Sequence, residues 1–420
     1  MKILIIGNGG REHAIAEKVA ESSLVTQVYV APGNGGTAMG APRIQNVNIS
    51  VTDINALLTF AKENHIDLTI IGPEAPLVLG IVDRFRENNL LCFGPTQACA
   101  QLEGSKAYCK AFLKKNNIPT AGYETFDTLE PALAYIQNHA LPIVIKADGL
   151  AAGKGVVIAQ SHEEAEDTLR SFLTDHSLGD ASKRVVIEDF LAGRELSFIV
   201  MSDGKDVVPL ATSADHKRRD DGDKGPNTGG MGAYSPADNV SDALHNEIMQ
   251  TVIHPTLNAL RNAGTPYTGF LYAGIMLDKN NKPFVLEYNC RLGDPETQPL
   301  LTRLKSDFTA HVLAACEGRL AQEKWDWDPR TAVGIVVASK GYPDKPETGK
   351  AITLTKDTAD VRVYHAGTAM HDGQLRTSGG RVLCVTALGN TKHEAAHRVY
   401  DALKNIHVEN GFYRKDIGLS

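Results

Sequence analysis

No stretch of this 420-residue chain approaches the ~20 consecutive apolar residues that a membrane span requires. The opening run, Met1-Lys2-Ile3-Leu4-Ile5-Ile6-Gly7, is too short for a secretory leader and reads as a first β-strand. Cysteine is sparse: the six at 92, 99, 109, 290, 316 and 384 form no CxxC pair and no metal-ligand spacing. They read as reduced, mostly buried thiols of a cytoplasmic protein. Excess positive charge is also missing. A formal net charge of −7 leaves no basic footprint for nucleic acid or an acidic membrane, so neither is expected as a partner. The histidines show no HExxH or similar spacing, and no Ser/His/Asp or Cys/His constellation can be assembled. Chemistry through a covalent nucleophile is therefore not indicated.

What remains is ordinary globular composition, 42% hydrophobic and 22% charged, in a chain long enough for two to four domains. Up to about residue 100, strand-like and helix-like segments alternate. Strands are expected at Lys2–Ile6, Val28–Ala31, Leu68–Ile71 and Leu91–Phe93. Helices are expected at Glu12–Glu21 and through Ile54, Leu57, Leu58 and Ala61. That alternation predicts a parallel sheet with ligands at the carboxyl ends of its strands. A helix over about 105–125 leads into a compact α+β unit. Its predicted elements are helix 129–139, strands 143–146 and 156–159, helix 162–175 and strand 185–188. A larger α+β segment follows, with strands at 195–201, 206–212, 272–277 and 283–289 and helices near 242–263 and 298–316. Trp325–Pro329 reads as a linker, and 330–420 as β-rich with a closing helix near 392–405. Asp53 and Asp127 occupy positions suited to helix N-caps.

The stretch Val285-Leu286-Glu287-Tyr288-Asn289-Cys290-Arg291 is the most informative. Strand periodicity aims Glu287 and Asn289 at one face, a carboxylate and an amide oxygen suited to Mg²⁺. Arg291 continues that face with a planar fork for a carboxylate or phosphate. Glu-x-Asn taken alone is better read as a solvated strand end; its company changes that. Gly7-Asn8-Gly9-Gly10-Arg11-Glu12 resembles a dinucleotide fingerprint but fails twice. Its third glycine position holds a bulkier residue, and the second strand ends in Ala31-Pro32-Gly33 instead of an acidic ribose ligand. A sugar-phosphate site or a merely tight turn are the two readings left. Lys146-Ala147-Asp148-Gly149-Leu150-Ala151-Ala152-Gly153-Lys154-Gly155 lies between two strands, which excludes a Walker A loop but permits a mobile hairpin over phosphates. The Glu188–Glu195 connector can take an adenine edge through its backbone, with Phe190 or Leu191 on the ring and Glu195 at the ribose; it can equally be a plain turn. Asp215–Lys224 and Gly225–Gly232 are a charge run and a glycine-rich loop, a solvated face or a substrate-closing lid.

Taken in order, the glycine hairpin with its lysine, the Glu188–Glu195 connector and the Glu287/Asn289 pair resemble the ATP-grasp superfamily. Within it, Arg291-Leu292-Gly293-Asp294-Pro295-Glu296-Thr297-Gln298-Pro299 is similar to the signature of the glycinamide ribonucleotide synthetases (phosphoribosylamine–glycine ligases) of purine biosynthesis. Gly7–His13, Gly72-Pro73-Glu74, Glu103-Gly104-Ser105-Lys106 and Gly225–Gly232 are similar too, over essentially the whole chain. The resemblance implies four units. These are an N-terminal α/β domain (1–103), an ATP-grasp large lobe (104–122 with 190–324), a mobile small α+β subdomain (123–189) and a β-rich C-terminal domain (330–420). It implies a monomer that uses ATP with Mg²⁺ or Mn²⁺ to join glycine to 5-phosphoribosylamine through glycyl phosphate. Glu287 and Asn289 would hold the metal, and Lys106 and Lys146 would neutralise phosphates. Gly149, Gly153, Lys154 and Gly155 would belong to the closing loop. Glu188 and Leu191 would take adenine, Glu195 the ribose and Asp215 the glycine ammonium. Arg291 and Asp294 would face the acyl phosphate, and Gly9 and Gly10 the 5-phosphate. A bicarbonate-using ATP-grasp carboxylase and a non-enzymatic nucleotide-binding module are the alternatives.

Overall fold

The computed structural model describes residues 1–40, 42–151, 153–354 and 360–419. The apolar run Lys2–Gly7 becomes the centre of a five-stranded parallel sheet, and Ile3, Leu4, Ile5 and Ile6 are all fully buried. Gln27–Pro32 and Ile44–Asn46 lie to one side of it, Leu68–Ile71 and Cys92–Phe93 to the other. The order reverses beside the first strand, so a crevice opens at its carboxyl end, between Gly7 and Gly72. Glu12, the residue that breaks the dinucleotide fingerprint, fills that crevice. A Cβ built on Gly7 would lie 2.2 Å from Glu12 Cγ, and one on Gly72 would lie 2.1 Å from Glu12 Oε1. Glycine is needed at both places so that this carboxylate can reach back and accept the Gly9 N–H at 2.7 Å.

Two antiparallel sheets flank the cleft that follows. The smaller joins Tyr123–Phe126, Val185–Asp189, Ile143–Ala147 and Val156–Ala159 in that order, and the helices Leu129–Ile136 and His162–Leu173 close its apolar face. The larger joins Val207–Pro209, Arg194–Asp203, Thr268–Leu277 and Pro283–Asn289. A third sheet is built mainly from Thr331–Ser339, Arg381–Gly389 and Val361–His365, but it also takes in Ala214–Asp215 and Gly232–Ser235. The β-rich C-terminal segment is thus stitched directly to the charged and glycine-rich loops. His13 adds a second tie, its Nδ1 accepting the His365 N–H at 2.8 Å.

Several expectations are corrected. The helix predicted over 298–316 is two, Thr297–Arg303 and Phe308–Cys316, because the Asp307 carboxylate accepts the Thr309 and Ala310 amides and caps a new start. Helix 242–263 is continuous but widens into a π turn at Met249–Ile253, just before Pro255, which has no N–H to give an α turn. The strand predicted over 206–212 shortens to Val207–Pro209. Asp53 caps its helix, but Asp127 does not: Thr128 precedes the helix, and Asp127 binds Arg184 at 2.6 Å. Trp325–Pro329 is no loose linker. Trp325 stacks on His311 with ring centres 3.9 Å apart, and Arg303 donates to the Asp328 and Arg330 carbonyls. The six thiols are unpaired, and five are buried. Among the described residues no helix is long and apolar enough to cross a membrane.

Candidate active site

A cleft of about 470 Å³ opens where the three sheets and the N-terminal turn meet. Its floor depends on a β-bulge. Gly274 pairs with Glu287 and Ile275 with Val285, so Leu286 is an extra residue that shifts the alternation. Val285 therefore packs into the core and Tyr288 sends its hydroxyl to buried Thr256, while Leu286, Glu287, Tyr288 and Asn289 all border the cleft. Glu287 and Asn289 do share a face, as strand periodicity predicts. Burial opposes the charge on Glu287, but Lys217, Lys146, Lys106 and Arg291 together hold its pKa below the usual glutamate value. It is an ionised carboxylate in a ring of cations. With Asn289 Oδ1 it offers two oxygen ligands, which suits a hard cation completed by phosphates and water.

Lys146 ends its strand inside the cleft, where it and Lys110 share one buried carboxylate. Lys146 Nζ lies 2.8 Å from Glu188 Oε1, and Lys110 Nζ lies 2.8 Å from Glu188 Oε2. Burial lowers the Lys110 pKa, whereas Glu188 and Glu287 together raise that of Lys146. The Glu188 side chain is thus occupied, which leaves only the connector's backbone for an adenine edge. Lys106 Nζ donates to the Gly149 carbonyl at 3.0 Å, and Asp148 accepts the Ser105 hydroxyl and the Ala107 amide, both at 2.8 Å. The glycine hairpin is therefore rooted on the helix Lys106–Lys115. Gly153, with φ +80°, and Gly155 border the cleft; Gly149 does not. Lys154 turns away, donating to the Asp344 carbonyl at 3.4 Å, and Ala152 lies outside the described residues. Leu191 and Glu195 also lie outside the lining, and Glu195 binds Lys217 at 2.9 Å.

Arg291 is braced before any ligand arrives. It pairs with Glu103 at 2.8 Å and Glu74 at 3.4 Å, and it donates to Asn289 Oδ1 at 3.1 Å. Burial pushes the Glu103 carboxyl up to about 7 despite that arginine. Asp215, nearly buried, is likewise pushed up to about 7 by burial, with Glu296 and Glu195 adding to the effect and Lys217 opposing it. Its nearest cation, Lys217, is 3.9 Å away. A buried carboxylate whose nearest cation stays beyond hydrogen-bond distance is suited to an incoming ammonium. Gly9 and Gly10 stand behind the cleft, against Asp294. A Cβ on Gly9 would lie 3.1 Å from Asp294 Oδ2, and one on Gly10 would lie 2.5 Å from Gln298 Nε2. Gln298 donates to Asp294 Oδ1 at 2.8 Å. Burial disfavours the Asp294 charge, but Arg381 and then Arg11 keep its pKa below the usual aspartate value.

Models of the phosphoribosylglycinamide synthetase N domain, ATP-grasp (A) domain and C domain match residues 1–103, 104–297 and 332–420. A phosphoribosylamine–glycine ligase of Escherichia coli O6:H1 is 57% identical over 421 residues, covering all of this chain and 98% of the relative. The chain belongs to the phosphoribosylglycinamide synthetase family. Another such ligase, from Vibrio parahaemolyticus, is 55% identical with the same coverage. The crystal structure of a phosphoribosylamine–glycine ligase from Thermotoga maritima superposes with a TM-score of 0.87 at 37% identity, covering 99% of this chain and all of that one. The biotin carboxylase domain of Hydrogenobacter thermophilus 2-oxoglutarate carboxylase shares the fold alone, with a TM-score of 0.74 at 14% identity over 98% of this chain and 91% of that one.

In this family member the cleft gathers Lys106, Lys146, Glu188, Asp215, Glu287, Asn289, Arg291 and Asp294. It also contains residues to which the sequence assigned no role. Lys110 follows Lys106 by four on one helix, and Lys217 follows Asp215 by two; both spacings are legible signals. Glu74 and Glu103 stood within quoted motifs without a role. Tyr342 and Arg381 had no signal, because only long-range pairing of strands brings them to the cleft.

Proposed function

We propose that the chain ligates glycine to 5-phosphoribosylamine, with ATP converted to ADP and phosphate. The observation that carries this is the ionised Glu287 among four cations, in the same cleft as Asp215, a buried carboxylate whose nearest cation, Lys217, stands 3.9 Å off. A carboxylate carbon is a poor electrophile. The glycine carboxylate oxygen first takes the γ-phosphoryl group and releases ADP. The amine nitrogen then bonds to the acyl carbon, the carbon–oxygen bond to phosphate breaks, and the amine gives up a proton. Such a reaction needs alignment, charge neutralisation and exclusion of water, not a covalent nucleophile.

Lys106, Lys146 and the hairpin Gly149–Gly155 would receive the phosphates. The Glu188–Leu191 backbone would take adenine, and Glu195 the ribose. Glu287 and Asn289 would hold Mg²⁺ or Mn²⁺, which when bound spreads positive charge over the phosphate oxygens. Asp215 would face the glycine ammonium, and Arg291 and Asp294 the acyl phosphate. Gly9 and Gly10 would set the 5-phosphate behind it. The chain would work in the cytoplasm on small molecules as a monomer, divided at 1–103, 104–122 with 190–324, 123–189 and 330–420. Phosphate release with ATP, Mg²⁺, glycine and phosphoribosylamine generated in situ tests the function. Release that needs bicarbonate in place of glycine overturns it.

Two further outcomes are expected. With Asp215 titrating near 7, more of it is neutral as pH falls, and an ammonium then loses its partner. The KM for glycine should rise toward about tenfold per unit below pH 7, and Asp215→Asn should raise KM at pH 8 and flatten the profile. A profile unchanged by Asp215→Asn removes the ammonium role. Gly9→Val should press on Glu12 and Asp294, raising the KM for phosphoribosylamine and leaving that for ATP within about twofold. A raised KM for ATP alone would reverse the placement of the two substrates.

A further inference from the structure

Arg381 reaches the cleft from the strand Arg381–Gly389, in the sheet most remote in sequence from the ATP-grasp motifs. Its side chain is 23% exposed. Nη1 donates to the Gly229 carbonyl at 2.7 Å and to the Asp294 carbonyl at 2.5 Å, and Nη2 lies 3.5 Å from Asp294 Oδ2. The Gly229 amide in turn donates to the Tyr342 hydroxyl at 2.9 Å. Both backbone polar groups of Gly229 therefore end on C-terminal residues. A Cβ on Gly229 would lie 3.0 Å from Arg381 Cζ, so the guanidinium lies close against the glycine. The same turn is tied to the glycine side of the cleft, because the Thr228 amide and hydroxyl both donate to the Lys217 carbonyl at 2.8 Å.

We propose that Arg381 is a positioning residue for the amine-transfer step, locking the Thr228–Gly230 turn and the Asp294 carboxylate into one frame. The β-rich C-terminal segment is then a working part of the active site. The proposal rests on the reading of Asp294 as facing the acyl phosphate that the amine attacks. A planar fork spreads its donors over two nitrogens in a fixed geometry that spans two carbonyls and a carboxylate; a lysine ammonium gathers its three donors on one atom at the end of a flexible stem. Asp294 keeps its Gln298 bond without Arg381, but the turn carrying Gly229 loses its register against it.

The test is steady-state kinetics on full-length Arg381→Lys, Arg381→Met and Tyr342→Phe, with the affinity of a non-hydrolysable ATP analogue and the melting temperature measured alongside. Arg381→Lys should melt close to wild type and keep its KM values for ATP and glycine within about twofold. Its kcat/KM for phosphoribosylamine should fall by about thirtyfold, through kcat and the KM of that substrate. Arg381→Met should lose more, and Tyr342→Phe several-fold in the same parameter. Wild-type kinetics in Arg381→Met overturn the proposal, as does a KM for ATP that rises as much as that for phosphoribosylamine. Should Arg381→Met fail to fold, Arg381→Lys and Tyr342→Phe decide by the same criteria. A wild-type protein that releases no phosphate with glycine and phosphoribosylamine overturns the functional proposal itself, and this one with it.

Discussion

Glu287→Ala is expected to lower turnover by on the order of 10²-fold or more at saturating Mg²⁺ while the protein stays folded. Glu287 borders the cleft on the bulged strand and is half-buried, so its loss opens no apolar cavity. Electrostatics carry the effect. Lys106, Lys146, Lys217 and Arg291 surround this carboxylate, and removing it leaves their charge unbalanced and Asn289 as the one remaining oxygen ligand of the pair. An ATP analogue without metal should bind as well as before or better, because its phosphates meet the same cations with one repulsion fewer. Metal-dependent turnover should collapse. Near wild-type turnover at high Mg²⁺ would rule out the metal role; unfolding of the variant would show that the ring of cations is a structural element.

The second large effect is on stability. Glu188 is 2% exposed and binds the ammonium groups of Lys110 and Lys146 simultaneously. Truncating it to alanine leaves two buried cations facing each other, and breaking a buried pair in this way costs about 3–5 kcal/mol. Glu195→Ala makes the comparison, since that carboxylate is 47% exposed and its pair with Lys217 is screened by water, worth at most about 1 kcal/mol. Denaturant unfolding followed in parallel should separate the two variants clearly. A nucleotide analogue should also stabilise Glu188→Ala more than wild type, because its phosphates replace the missing negative charge. Equal stability of the two variants would mean that the lysine pair is solvated in the native protein.

Much of the molecule was legible from its residues. The parallel N-terminal sheet followed from short apolar runs alternating with amphipathic helices, and these are local signals that tertiary contacts reinforced. The Glu287/Asn289 pair followed from strand periodicity, which held because both residues lie beyond the bulge. Asp127 and the helix over 298–316 were misjudged for one reason: capping depends on which side chain is free, and Arg184 claims Asp127 while Asp307 starts a new helix. Arg291 lines the cleft on the face that strand periodicity predicts, but what braces it was not legible. Its two carboxylate partners come from positions 74 and 103, and no spacing rule connects them to 291.

Composition and pattern by themselves determined that this chain folds as α/β and α+β units and showed no apolar run of the ~20 residues a membrane span requires. They also placed a carboxylate–amide pair on one strand face, because periodicity and residue chemistry are properties of short segments. The third sheet was decided only by the tertiary structure. It borrows Ala214–Asp215 and Gly232–Ser235 from one part of the chain and Thr331–Ser339 and Arg381–Gly389 from another, and so carries Arg381 to Asp294 and Tyr342 to Gly229. Burial likewise left Asp215 and Glu103 titrating near 7, since the desolvation of a carboxylate depends on everything packed around it and not on its neighbours in sequence.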